Sequence, residues 1–193
     1  MERKSGDRRV RRTQRLLKES LLELMREKPF PDISVADIAD RADVNRATFY
    51  LHYSNPANLL QSIGEDLLEE LQTLFDDHQQ ELMDSENIRP ILEPVLDFVI
   101  SFQDLCTLLF AHEQESQFSE NLLLLIQTNG TRVIKTIPMI QQDEEVTYLV
   151  SFLAHGVIGM IRTWVHRGMD LPKEKLLKAA EKMTAGAVSQ YGV

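Results

Sequence analysis

The chain has 193 residues, 43% hydrophobic and 26% charged, with eight glycines, seven prolines and one cysteine, Cys106. That length fits one large domain or a small domain attached to a larger one, and a single cysteine excludes an internal disulfide, so a reducing compartment is expected. The formal net charge of −9 argues against a polyanionic partner, but it is unevenly placed: residues 1–60 hold 12 Lys/Arg against 9 Asp/Glu, and residues 61–193 hold 9 against 21.

That asymmetry has two readings, a basic head for a polyanion on an acidic body, or a solvated basic tail. Alternating apolar runs of strand length are nearly absent, while Leu, Glu, Gln, Lys, Ala and Met dominate, which predicts an all-α protein of about nine helices. No apolar signal-peptide core follows the basic N-terminus.

A first helix is expected over Arg8–Glu27, with Leu16, Leu17, Leu21, Leu24 and Met25 as its buried stripe. The segment "RKSGDRRVRR" (Arg3–Arg12) ahead of its core reads as a basic arm. Pro29 and Pro31 in "KPFPD" end the helix, since neither fits inside a continuing one. A second helix opens at Ser34 and puts Val35, Ile38, Ala39 and Ala42 on one face; Ser34 and Asp37 have the spacing of a capping box. After a short break at "DV", Asn45 caps a third helix, and Val44 and Phe49 have the spacing of a hydrophobic staple.

Asn55–Pro56 restarts the chain, with Asn as N-cap and Pro in the first helical position. That fourth helix should reach about Met83. Arg89–Ile100 and Asp104–Ala111 read as two helices, with continuity through Phe102 left open. Phe118–Ile137 follows, weakened near "TNG" (Thr128–Gly130), then Glu144–Arg167 and Pro172–Gln190. The stretch "VTYLVSFLAHGVIGMIRTWV" (Val146–Val165) has the length of a membrane span. It carries His155 and Arg162, both costly in hydrocarbon, so it reads as a helix buried in protein on several sides, and no membrane partner is expected.

The second and third helices with their turn form a helix-turn-helix, whose second helix enters the DNA major groove in proteins that use it. Helical periodicity sorts "VNRATFYLHY" (Val44–Tyr53) into two faces. Val44, Phe49 and Tyr53 turn inward. Arg46 and Tyr50, four apart, share an outward face with Ala47. Arginine can fork onto guanine, alanine can touch a thymine methyl, and Tyr50 can reach a base or a phosphate. Thr48 and His52 flank that face and suit phosphates, while Ser34 and Asn45 mark helix N-termini, whose free N–H groups favour anions.

Residues Thr13 to Leu60, and above all "RATFYLHY" followed by a restart and "LL", closely resemble the DNA-binding domain of the TetR family of bacterial transcriptional regulators. The resemblance implies a head, 1–54, with base contacts from Arg46, Ala47 and Tyr50 and phosphate contacts from Ser34, Asn45, Thr48, His52 and Tyr53. It implies a helical body, 55–193, that dimerises and binds an effector. Expected partners are therefore double-stranded DNA carrying a palindromic operator, a second copy of the chain, and a small-molecule effector of unknown identity; the location expected is cytoplasmic. Two positions depart from the family's pattern. Asp43 stands where Gly is usual, at a site expected to need positive φ, and Ser54, Asn55 and Pro56 replace a phosphate-binding Lys. One phosphate contact fewer is expected there, with more weight on the basic arm.

In the body, Phe98, Phe102, Cys106, Phe110, His112, Phe118 and Trp164 are the candidate pocket residues, with ordinary core packing as the competing role of each. The apolar surface of the last two helices exceeds one contact. Val157, Ile161 and Trp164 with Leu176, Ala180, Met183 and Ala187 are the candidate dimer interface, and Gly156 and Gly159 would let another helix come close. The competing role is the core of a single subunit. No catalytic residue, metal site or cofactor is expected: the chain has no glycine-rich phosphate loop, no nucleophile–base spacing and no paired metal ligands. A repressor is the leading expectation. The alternative is a helical interaction protein with a degenerate DNA-binding head.

Overall fold

The computed structural model describes residues 3–78, 80–81, 88–111, 117–135 and 145–189. Among the described residues there are nine α-helices and no strand, as the all-α composition requires. They are α1 (Arg3–Glu27), α2 (Val35–Arg41), α3 (Arg46–Tyr50), α4 (Pro56–Asp77), α5 (Arg89–Ser101), α6 (Gln103–Ala111), α7 (Gln117–Ile134), α8 (Val146–His166) and α9 (Lys173–Val188). The chain divides into two compact units, Met1–Asp66 and Leu67–Val193.

In the first unit α1 packs on α2 and α2 on α3. Leu17, Leu21, Ile38, Phe49 and Leu59 are completely buried, at the positions that helical spacing selects. Around this core run exposed ion pairs. Arg41 on α2 reaches Glu23 at 3.3 Å and Glu27 at 2.7 Å on α1, and Lys18 on α1 pairs with Asp66 on α4. Within "KPFPD", Phe30–Asp32 form a 3-10 turn capped by Pro29. One boundary differs from expectation: α1 begins at Arg3, so the segment read as an arm is the opening turns of a helix. Arg and Lys are good helix formers, and one glycine does not stop them.

In the second unit α7 lies along α8, α8 contacts α6 and α9, and α9 contacts α5. The main core gathers Leu71, Leu92, Leu96, Val99, Phe110, Leu122, Ile161, Trp164 and Leu177. "TNG" does not weaken α7. A Cβ at Gly130 would stand 3.4 Å from Val150 Cγ1, so the glycine allows close approach to α8. The buried Asn129 donates through Nδ2 to Leu125 O at 2.9 Å and to Gln72 Oε1 at 3.1 Å, which ties α7 to α4. α5 and α6 are separate helices, interrupted at Phe102 where φ is −117° and ψ is 34°.

α8 is long and apolar enough to cross a membrane by length and composition alone. Within the chain it is buried along one face only, by Val146, Leu149, Val150, Ala154, Ile161, Trp164 and Val165. Burial on several sides, as its sequence suggested, is not what one subunit provides. The expected helix boundaries at Met83, Ile137, Glu144 and Gln190, and the candidate His112, lie outside the described residues.

Candidate DNA-binding site

The site rests on two caps and a turn. At the start of α2, Ser34 Oγ accepts from the Asp37 N–H at 3.2 Å, and Asp37 Oδ2 accepts from the Ser34 N–H at 2.8 Å, which completes the expected capping box. Lys28 donates to the same Asp37 oxygen at 2.9 Å. That ammonium first, then the Ser34 hydroxyl and N–H, holds the Asp37 carboxyl far below the usual carboxylate range. The Ser34 hydroxyl also donates to Asp37 at 2.7 Å, so its side chain is engaged by the cap.

The chain then turns through Asp43, whose φ is +52°. This is the left-handed conformation expected at that position, held by Val44 N–H donating to Ala39 O at 3.0 Å. Asn45 follows in extended conformation and caps α3, its Oδ1 accepting from the Ala47 N–H at 2.8 Å. Asn45 is exposed, and its Nδ2 donor is not used by the cap.

From that fixed start the side chains of α3 divide as the periodicity predicts. Phe49 is completely buried, with Tyr53 at 6.0 Å between ring centroids and the Tyr50 ring edge-on at 5.7 Å. Arg46 and Ala47 are exposed, and Tyr50 is 60% exposed. Among the described residues Arg46 has no ion-pair partner, in a unit where Lys18, Lys28 and Arg41 all do. Thr48 and His52 are half-buried at the flanks. Tyr53 is 94% out of solvent, and its hydroxyl is buried with no hydrogen-bond partner among the described residues. Tyr53 therefore presents no exposed side-chain polar atom to a phosphate, unlike the contact that the resemblance implies, because its ring packs inward against Phe49.

One residue escaped the sequence reading. Leu51, the C-cap of α3, is 80% exposed, the highest value among the large hydrophobics of the described chain. At the restart, Asn55 Oδ1 accepts from the Asn58 N–H at 2.8 Å, and Asn58 Oδ1 accepts from the Ser54 N–H at 3.3 Å. These reciprocal bonds fix the start of α4, as the Asn-Pro pair predicts.

In the second unit, Cys106, Phe110 and Trp164 are buried in one core, with Phe98 and Phe118 packed against it. Phe102 is the outlier, 37% exposed and resting on Phe98 with ring centroids 4.7 Å apart. Trp164 Nε1 donates to Leu171 O at 2.7 Å. Burial pushes the Cys106 thiol up to about 12, so it stays protonated at neutral pH. The crevice between α5, α8 and α9, lined by residues such as Leu92, Val157, Met160 and Leu176, is too narrow for a water molecule and includes none of the expected pocket aromatics.

Of the expected dimer residues, Ile161, Trp164, Leu176 and Ala180 are spent on the subunit's own core. Val157 and Ala187 are half-buried, and Met183 is 63% exposed. The open face of α8 is a different stripe: Tyr148, 77% exposed, Phe152, 69% exposed, and the exposed Gly156, with Gly159 half-buried at its side. At both glycines, and at Gly186 of α9, a Cβ would meet no atom within 4 Å.

Comparison with known proteins agrees with the geometry of α2 and α3. Residues 19–63 match the family described as bacterial regulatory proteins, tetR family, and residues 86–186 match that described as transcriptional regulator C-terminal region. The chain belongs to the TetR family. It is a TetR-family regulator with the helix-turn-helix head and helical C-terminal region of that group, whose members bind DNA. A relative from Bacillus subtilis (strain 168), the uncharacterized HTH-type transcriptional regulator YxbF, is 41% identical over 61 residues, 31% of this chain and 16% of that protein. Among solved structures, the dihydroxyacetone kinase operon activator DhaS shares the fold at a TM-score of 0.68 and 22% identity, over 93% of this chain and 96% of that one. FadR from Bacillus subtilis in complex with stearoyl-CoA gives a TM-score of 0.66 at 14% identity, over 89% and 97% of the two chains.

Proposed function

We propose that this TetR-family regulator is a homodimeric, cytoplasmic repressor that binds a palindromic operator and releases it on binding a small-molecule effector. The observation that carries the reading is the outward face of α3. Arg46, Ala47 and Tyr50 stand exposed on a helix whose start is fixed by Asn45 and whose other face is anchored by Phe49. Arg46 and Tyr50 read base edges and Ala47 meets a thymine methyl, while Asn45, Thr48, His52 and the N-terminus behind Ser34 hold phosphates.

Two such helices related by a two-fold axis read a palindrome with half-sites about one DNA turn apart. The open stripe of Tyr148, Phe152 and Gly156, with the half-buried Gly159 beside it and Met183 and Gly186 on α9, supports self-association: large apolar side chains and bare helix backbone lie exposed on one chain. The aromatic cluster of Phe98, Phe110, Phe118 and Trp164 is the apolar lining assigned here to an effector. FadR, crystallised with stearoyl-CoA, supports a ligand with an acyl chain in this fold. An effector shifts DNA binding only by its differential affinity for the two states of the dimer.

The test is a gel shift of the full-length protein on the intergenic DNA beside its gene. Salt-sensitive retardation of that fragment, in preference to a scrambled one, is the expected result. No salt-sensitive binding to any duplex would overturn the reading and favour a helical interaction protein instead.

A further inference from the structure

We propose that Leu51 is a specificity-determining residue of the DNA interface, forming with Ala47 an apolar edge that seats against the 5-methyl group of a thymine in each half-site. The inference rests on α3 being the DNA-reading helix.

Leu51 keeps helical dihedrals, φ −70° and ψ −20°, and its N–H donates to Ala47 O at 3.2 Å. It therefore stands one turn beyond Ala47 on the same side of the helix, next to Tyr50. Its isobutyl group is 80% exposed, although Phe49 and Tyr53 on either side of it are buried. The fold has no use for a hydrophobe at this place, because the inward face of the segment is already filled.

A single exposed leucine needs no explanation on an ordinary surface. This one lies on a face that otherwise carries a guanidinium, a phenol and an alanine methyl. Against the polar edges of guanine, cytosine or adenine, an aliphatic group would strip water from donors and acceptors without replacing their bonds. The one apolar group that the floor of the major groove presents is the thymine methyl. Arg46 and Tyr50 supply hydrogen bonds on one side of the face, and Ala47 with Leu51 supply a contiguous apolar strip on the other. A recognition surface of that composition discriminates a thymine adjoining the position read by Arg46 or Tyr50.

The experiment uses the full-length protein and the operator duplex recovered by selecting random duplexes on the wild type. Each half-site thymine is then replaced by uracil, which removes only the 5-methyl group. For wild type, one thymine per half-site should show a loss of about fourfold on uracil substitution, the value of one buried methyl. Leu51→Ala should bind the thymine operator more weakly by up to a similar factor and show a smaller thymine-to-uracil ratio there, with Ala47 left as the remaining apolar contact.

Circular dichroism and melting of Leu51→Ala should match wild type, since the side chain is exposed. An equal thymine-to-uracil ratio in wild type and Leu51→Ala overturns the inference, as does a uniform loss on all duplexes, which would mark a sugar–phosphate contact. So does wild-type affinity in the variant, the result expected if Leu51 serves a protein contact. Failure of the wild type to select any duplex removes the DNA-binding reading itself, an outcome separate from the others.

Discussion

Asp43 carries a strain that its own side chain does not relieve. At φ +52° a non-glycine residue crowds its Cβ against the backbone, and Asp tolerates this better than most residues without escaping it. Asp43→Gly should raise stability by about 1 kcal/mol, measured as a shift of the urea midpoint with unchanged slope. A loss would mean that the carboxylate makes a contact worth more than the strain. Phe49→Ala should do the reverse, costing roughly 3–5 kcal/mol as truncation of a fully buried ring. A variant that folds with wild-type stability yet fails to bind DNA would contradict its inward placement. Both roles were legible in the sequence, because a 3.6-residue period separates Phe49 from Arg46 and Tyr50 and because the turn has a defined handedness. Leu51 was not legible. Its apolar side chain sits between Tyr50 and His52 at the very end of a five-residue helix, where composition says core and only the backbone says solvent.

At the scale of elements, the capping box of α2 does more than start a helix. Asp37 ties the start of α2 to Lys28, just beyond the end of α1, so the carboxylate's charge is part of the packing between them. Its pKa is lower in the fold than the 3.8 of an ordinary aspartate, so its contribution is complete above that value and is lost as pH falls through the folded pKa. The urea midpoint of the protein should therefore fall on acidification below about pH 3.8, and Asp37→Asn should flatten that fall. An unchanged acid limb in the variant would assign the loss to other carboxylates. Caps and breaks were readable from Ser34, Asn45, Asn55 and the prolines because each answers to a local bond. The start of α1 at Arg3 was not, since six cations in ten residues look like a tail whether or not they are helical. The continuity of α7 through Gly130 depends on how closely α8 approaches, which no local signal carries.

For the whole molecule, the division between core and interface was the part that sequence could not decide. α8 is apolar around much of its circumference, and its sequence marks a surface too broad for one contact without saying which part faces the subunit's own core. The structure assigns Ile161 and Trp164 to that core and leaves Tyr148 and Phe152 open. If that stripe joins two copies, Phe152→Glu should place like charges across a two-fold axis and yield a monomer by sedimentation, with operator binding weakened because half-sites are then engaged singly. A dimer that survives the substitution would move the interface elsewhere.

The central claim is that the outward face of α3 reads bases, and Arg46 tests it most directly. Affinities of wild type and Arg46→Ala should be measured on the operator and on duplexes altered at each half-site position in turn. The variant should lose about 1–3 kcal/mol on the operator and become indifferent to the base at one position per half-site. An equal loss on every duplex, with base preferences intact, would make Arg46 a phosphate ligand and contradict the account.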